Sequence, residues 1–320
     1  MQNILSADIG GTNSRFGHFT IDTDGKLSLV ESIWLKTAGA GSFTELVGNL
    51  KKSAFPFKPD SADLVVIAVA GPVENRVRSK PPLIAWGIDI SNAGKDFGFR
   101  RCVLINDFIA QAFACCSPIG EKAVKVLSGA PEPDAAIAVI GAGTGLGKAV
   151  TMPDGKGGYL AIPSEGGHTN FPFVTEKEFA YQHFLLKERG DQYITGNTVV
   201  SGRGLSYLHQ FLTGKKLGPS AVVQEFSEYP ETLEWASRFY ARACRNYVLE
   251  TLAMGGLYIA GGVAAKTPAL LTHPAFEQEF RSSDTLAALL ANIPVSIITD
   301  ENSGLWGGAV FARQQLRDTL

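Results

Sequence analysis

The chain is poor in cysteine, in net charge and in long apolar runs, and each shortage removes a class of function. Only Cys102, Cys115, Cys116 and Cys244 stand among the 320 residues. They have neither the C-x-x-C nor the His-linked spacing of a structural zinc site, and their apolar neighbours suit reduced, buried thiols. Formal net charge is −2 and the isoelectric point about 6.2, so the basic footprint used to hold nucleic acid or an anionic membrane is missing. No apolar run reaches the roughly 18 residues of a membrane-spanning helix, and Met1 to Asp8 lacks the basic-then-apolar pattern of a secretory signal. The expectation is a cytoplasmic protein with no nucleic-acid or membrane partner. No Pro- or Ser-rich linker divides the chain, so domain boundaries must come from pattern. What is plentiful is glycine, 35 residues, within an ordinary globular composition of 45% hydrophobic and 19% charged residues.

Many of the glycines fall at the ends of strand-like runs, where an α/β protein brings backbone close to a ligand. Leu64 to Ala70 ends in Gly71-Pro72, Ala135 to Ile140 in GAGTGLG, Gly256 to Ala260 in Gly261-Gly262, and Cys102 to Ile105 in Asn106-Asp107 before a buried helix over Phe108 to Cys116. Helical patterns cover Ser42 to Lys52, Glu176 to Glu188, Gly204 to Leu212, about Pro230 to Met254, Ala264 to Leu271 and about Leu305 to Leu316. Residues 4 to 21 and 136 to 152 echo one another, each a strand, a Gly/Thr turn and a second strand. Two similar halves of this kind would form a cleft suited to a nucleotide and a substrate.

Four stretches carry chemistry. ADIGGTNSRF, residues 7 to 16, puts Asp8 at the end of a strand and Gly10, Gly11, Thr12 and Asn13 in the turn of a hairpin. Ser14 to Ile21 continues as strand, so this is not the dinucleotide fingerprint; it is either an ordinary turn or a phosphate site. GAGTGLGKA lacks the Gly at Ala142 and the hydroxyl at Ala149 that a P-loop needs. Its four glycines exceed what a hairpin turn requires, which favours phosphate contact over a merely flexible turn. Asp107, between a strand and a helix, is a helix cap or a general base, with Asn106 beside it to position a hydroxylic substrate. Glu165 and His168, in SEGGHTNF, offer the mixed donors and acceptors that sugar hydroxyls need, or simply decorate a surface turn. The IAGGV glycines, Gly261 and Gly262, admit either a flat base or a close helix–strand crossing.

In this order and spacing, DIGGTNSRF, VAGPV, INDF, GAGTGLG, EGGH, VVSGRGL, IAGGV and NSGLWGGA resemble the bacterial glucokinase family, ATP-dependent sugar kinases of the actin/hexokinase/Hsp70 superfamily. The resemblance runs through nearly the whole chain. It implies an α/β protein of two actin-like (ribonuclease H-like) domains flanking an interdomain cleft, the smaller about 1–107 plus 301–320, the larger 108–300. It implies ATP and Mg²⁺ as cofactors, with Ala7, Asp8, Ile9, Gly10, Gly11, Thr12 and Asn13 in the first phosphate motif and Asp8 facing Mg²⁺ through water. Gly143, Thr144 and Gly145 would form the second phosphate motif, and Gly261 and Gly262 would lie beside the nucleoside. Asp107 matches the catalytic base that takes the proton of the sugar 6-hydroxyl, and Asn106, Asp107, Glu165, His168 and Asn197 fall at sugar-binding positions. The implied activity is phosphorylation of glucose to glucose 6-phosphate at the entry to glycolysis, by a homodimer as in many relatives.

Two positions depart from the family pattern. KPPLIAW, Lys80 to Trp86, replaces a segment that usually brings a Thr-Asn pair to the sugar, and Asn197 stands where many members place a glutamate. These departures bear on the sugar, so a kinase for another hexose or an amino sugar is the near alternative. A non-catalytic sugar or ATP sensor is the alternative of another class, and a glycosidase using Asp107 and Glu165 would leave the Gly/Thr hairpins unexplained.

Overall fold

A computed structural model describes residues 1–317. The chain forms two compact units, one of 1–122, 154–163 and 300 onward, the other of 123–153 and 164–299. The division differs from the expected one chiefly at the Asp107–Ala114 helix, which belongs to the first unit. The reason is packing: it lies so close to the Ser303–Arg317 helix that a Cβ on Gly307 would fall 1.7 Å from the Ala110 carbonyl oxygen, and Phe113 meets Phe311 edge to face.

The first unit is built on strands β1 (Gln2–Ile9), β2 (Asn13–Ile21), β3 (Leu27–Lys36), β4 (Leu64–Val69) and β5 (Cys102–Asn106). Their order is β3-β2-β1-β4-β5, with β1, β2 and β3 antiparallel and β4 and β5 parallel to β1. Because both faces of the sheet are covered, β4 reads LVVIAV without a polar residue and is buried throughout. Alternate side chains go to opposite faces. Leu5, Ala7, Ile9, Val65 and Ile67 join Phe43, Leu46 and Leu50 of the Phe43–Lys52 helix, whereas Ile4, Val66 and Ala68 join Leu305, Ala309 and Ala312 of the Ser303–Arg317 helix. Ser42 caps the former helix by accepting from the Glu45 N–H at 3.1 Å.

The second unit has strands β6 (Val124–Leu127), β7 (Ile137–Ala142), β8 (Leu146–Pro153), β9 (Gly256–Ala260) and β10 (Val295–Ile297). They run β8-β7-β9-β10-β6, again an antiparallel hairpin whose first strand continues into parallel neighbours. The internal echo in the sequence is therefore a repeated topology: β2-β1-β4-β5 in one unit and β8-β7-β9-β10 in the other. The Pro230–Thr251 helix stops short of Met254 because Leu252 turns into the left-handed region at φ 46°. The expected helix over Ala264 to Leu271 is two pieces, Gly262–Lys266 and Ala269–Thr272, since Pro268 has no N–H with which to continue the first. Among the described residues, no helix is long and apolar enough to cross a membrane.

Candidate active site

In the first unit the predicted residues gather at one edge of the sheet. Ile9 of β1 pairs with Val69 of β4, and Val69 with Asn106 of β5. The Gly10–Thr12 turn, the Gly71 turn and Asp107 therefore leave the sheet side by side, about two strand spacings or ~10 Å across. This is the carboxyl end of the parallel strands, where open α/β sheets bind ligands.

Asp8 sits beside that turn. Its Oδ2 accepts from Arg15 Nη1 at 3.1 Å, and the Arg15 guanidinium lies over the Trp34 ring, 4.3 Å from the centroid. The three are consecutive in one cross-strand row, Asp8 opposite Arg15 and Arg15 opposite Trp34. Burial pushes the Asp8 carboxyl above its usual range, and Arg15 pulls against it by charge and hydrogen bonding. Gly304 closes the other side: a Cβ there would stand 2.7 Å from Asp8 Oδ2. The turn itself is pinned from beneath, since Thr37 Oγ1 donates to the Gly10 carbonyl at 2.6 Å and the Thr37 N–H to the Thr12 carbonyl at 3.0 Å. Gly11 and Thr12 are exposed at the tip, and Asn13 Oδ1 accepts from Lys36 Nζ at 2.9 Å. Ala7 and Ile9 are different: each is 1% exposed, held in the ladder between β2 and β4, with its side chain in the core.

The helix cap is Asn106, and Asp107 is the first helical residue. Asn106 Oδ1 accepts from the Phe108 and Ile109 N–H groups at 2.9 and 3.3 Å, while Nδ2 donates to the Gly71 carbonyl at 3.0 Å. Asn106 thus does the capping that sequence reasoning had offered as the alternative role of Asp107. Asp107 is half-buried, its Oδ1 accepting from the Phe108 N–H at 3.0 Å. The Lys80–Trp86 segment completes this edge. A Cβ on Gly71, at φ +87°, would come 3.0 Å from Pro82, and one on Gly11 would come 3.0 Å from Leu83. The segment that departs from the family pattern therefore touches both the phosphate turn and the turn that holds Asn106.

In the second unit the GAGTGLG hairpin, the Glu165–His168 turn and Asn197 come together. Gly143 and Thr144 are exposed at the tip, closed by a Gly143 N–H bond to the Gly145 carbonyl at 2.8 Å. Glu165 and His168 are exposed and adjacent, Oε2 to Nε2 3.7 Å. Asn197 Oδ1 accepts from the Leu146 N–H at 2.6 Å. Beneath them Lys148 is 5% exposed, its ammonium 4.9 Å from the Tyr247 ring centroid; burial pushes it below the usual lysine range, against the pull of Glu250 at 3.8 Å. Gly261 and Gly262 divide the two roles considered for IAGGV. Gly261, at φ +87°, faces the Ala142 carbonyl oxygen, 2.7 Å from where a Cβ would stand, whereas a Cβ on Gly262 would meet nothing within 4 Å. Gly261→Ala should accordingly cost stability, and Gly262→Ala should fold as the parent does. A raised KM for ATP in Gly262→Ala, with thermal unfolding unchanged, is the expected sign of direct nucleotide contact; an unchanged KM would remove Gly262 from the site.

Sequence reasoning missed Arg15, Gly304, Gly307 and Thr37. Arg15 was available from register: a hairpin turning over residues 10 to 13 pairs positions that sum to 23, and so sets 8 opposite 15. Gly304, Gly307 and Gly308, at i, i+3 and i+4, form one face of a helix, the pattern of a close backbone approach. Thr37 carries no such signal.

The model of the glucokinase family matches residues 5–315. A glucokinase from Nostoc sp. is 30% identical to this chain, the match covering 98% of the chain and 99% of the relative. Among solved structures, a glucokinase from an Antarctic psychrotroph has a TM-score of 0.83 at 26% identity, covering 98% of this chain and 99% of its own. A ROK family glucokinase from Streptomyces griseus, in complex with glucose and AMPPNP, has a TM-score of 0.62 at 16% identity, covering 98% and 99%, and so shares the fold. The fold is the actin-like α/β fold, and the chain belongs to the glucokinase family.

Proposed function

We propose that the protein is a glucokinase, transferring the γ-phosphoryl group of ATP to the 6-hydroxyl of glucose. The observation that carries this reading is the sheet edge from which the Asp8–Gly11 turn and Asp107 leave together, with Asn106 taking over the capping of the Asp107 helix. Phosphoryl transfer needs positioning and charge stabilisation more than covalent help from the protein. Asp107 takes the proton as the 6-oxygen bonds to phosphorus, while the bond from phosphorus to the ADP oxygen breaks. Asn106, Glu165, His168 and Asn197 hold the sugar, and an adjacent carboxylate and imidazole suit hydroxyls that donate and accept at once.

The residues present fit Mg-ATP. By the resemblance, the Gly10–Asn13 and Gly143–Gly145 turns each offer backbone to phosphate, and Gly262, where a Cβ would meet nothing within 4 Å, leaves room for a flat base. Asp8 has one carboxylate oxygen engaged by Arg15, which leaves Oδ1, a hard donor of the kind Mg²⁺ prefers, to hold the ion through water. Bound there, Mg²⁺ supplies charge neutralisation at the phosphates. The resemblance supports a cytoplasmic homodimer at the entry to glycolysis.

The test is Mg-ATP-dependent phosphorylation across a panel of hexoses and amino sugars, scored by ADP release and by the sugar phosphate formed. Strong preference for glucose with glucose 6-phosphate as product is expected. A preference for another sugar would move the substrate while keeping the chemistry, and ATP binding without turnover on any sugar would make the protein a sensor.

A further inference from the structure

Three segments of the second unit converge on a single side-chain oxygen. Asn197 lies in the short Gly196–Val199 helix. Its Oδ1 accepts from Leu146, the first residue of β8, at 2.6 Å. A Cβ on Gly167 would fall 2.5 Å from that same oxygen and 2.0 Å from the Leu146 carbonyl oxygen, and a Cβ on Gly145 would fall 3.1 Å from it. The hairpin tip assigned to phosphate and the turn bearing Glu165 and His168 thus both lie against the Asn197 amide. Neighbouring backbone bonds run between the same segments: the Gly202 N–H donates to the Gly143 carbonyl at 3.1 Å and the Gly196 N–H to the Thr169 carbonyl at 3.2 Å.

We propose that Asn197 is a positioning residue that ties the phosphate hairpin to the sugar-facing turn, so that the two ligands depend on one another through it. This rests on the sugar-kinase reading and deepens it. A residue serving the sugar alone would turn its acceptor toward hydroxyls; here the acceptor is committed to the Leu146 N–H, and what is left for a sugar is the Nδ2 donor. Glycine at 145 and at 167 is what allows the amide to sit between the two turns. A side chain at 167 would displace the amide and the Leu146 backbone, and one at 145 would crowd the amide.

The experiment compares Asn197→Ala with Asn197→Asp, which keeps an acceptor of the same length. Amide hydrogen exchange of the folded, ligand-free protein reads the tie directly, and steady-state kinetics with glucose and ATP read its use. Asn197→Ala should exchange the Leu146 amide about tenfold faster or more and raise KM for ATP and for glucose together, with the unfolding temperature near that of the parent. Asn197→Asp should hold Leu146 exchange within about threefold of the parent, an acceptor having been kept. The proposal is overturned if Asn197→Ala leaves Leu146 exchange unchanged, if it raises KM for glucose while KM for ATP stays put, or if Asn197→Asp exchanges as fast as Asn197→Ala. Should the parent phosphorylate no sugar at all, the functional reading fails, while the exchange measurement still decides whether the tie exists.

Discussion

Alanine in place of Asp107 is expected to lower kcat by about 10² to 10⁴-fold, the usual contribution of a general base, and to leave KM for ATP within a few-fold. Cap geometry makes this a clean experiment. Asn106 accepts from the first N–H groups of the helix, those of Phe108 and Ile109, so the cap outlives the substitution, although the bond that Asp107 Oδ1 accepts from the Phe108 N–H is lost. The Asp107→Ala protein should therefore unfold near the parent temperature and still bind nucleotide, so that lost turnover reports the missing base. Asp107→Asn should be as poor a catalyst, because an amide keeps the shape and cannot take the proton. Turnover within a few-fold of the parent in a folded Asp107→Ala protein would assign the base elsewhere.

A methyl group on Gly307 is expected to do the greatest damage to stability. Its position is 1.7 Å from the Ala110 carbonyl oxygen, a backbone atom that cannot swing aside, so the Ser303–Arg317 and Asp107–Ala114 helices must separate. Overpacking of this kind costs about 1–3 kcal/mol and at times more, and Gly307→Ala should stand at the upper end, a fall of roughly 5–10 °C in unfolding temperature. The same helix meets Asp8 through Gly304 and Ser6 through Gly308, where Cβ positions fall 2.7 and 2.3 Å from side-chain oxygens. Separation would therefore shift Asp107 against Asp8, and displacement by about 1 Å can cost up to ~10²-fold in rate. Gly48→Ala is the control, since Gly48 lies in the Phe43–Lys52 helix and a Cβ there meets nothing within 4 Å. It should be neutral or stabilising by about 1 kcal/mol. Parent-like unfolding of Gly307→Ala would mean that the two helices have slack the structure does not show.

These contacts also show what could be read from the sequence. The hairpins were legible because Gly/Thr turns between apolar runs have few other uses, and β4, β5, β7 and β9 because each run ended at a glycine or an Asn-Asp pair; β3, β6 and β10 were not read from the sequence. Which residue caps the helix after β5 was not legible: Asn106 and Asp107 are both good caps, and only the backbone geometry at Asn106, extended at ψ 146°, decides. Ala7 and Ile9 belong to the phosphate motif as a string of letters, yet the parallel partner β4 commits both to the sheet and the core. A partner sixty residues away leaves no local mark. Asn197 is the same kind of case. Its sequence position pointed to the sugar, and only the fold reveals that its oxygen is taken by Leu146, 51 residues earlier.

The first unit is discontinuous along the chain, and that shapes how the protein must be made. The sheet face formed by Ile4, Phe19, Val66 and Ile105 is covered by Leu305, Ala309 and Ala312, yet about two hundred residues separate the end of β5 from the helix that brings that cover. At roughly 5–20 residues per second, a ribosome needs about 10–40 s to supply them. Through that interval the sheet face has Ala110 and Phe113 of the Asp107–Ala114 helix beside it but lacks the cover of the later helix, and what stays bare is open to whatever else in the cell binds greasy surface. The second unit, by contrast, has all but a short excursion of its sequence in one stretch and can close on itself earlier, so the order of folding during synthesis is set by connectivity: the half that begins the chain is finished after the half that interrupts it.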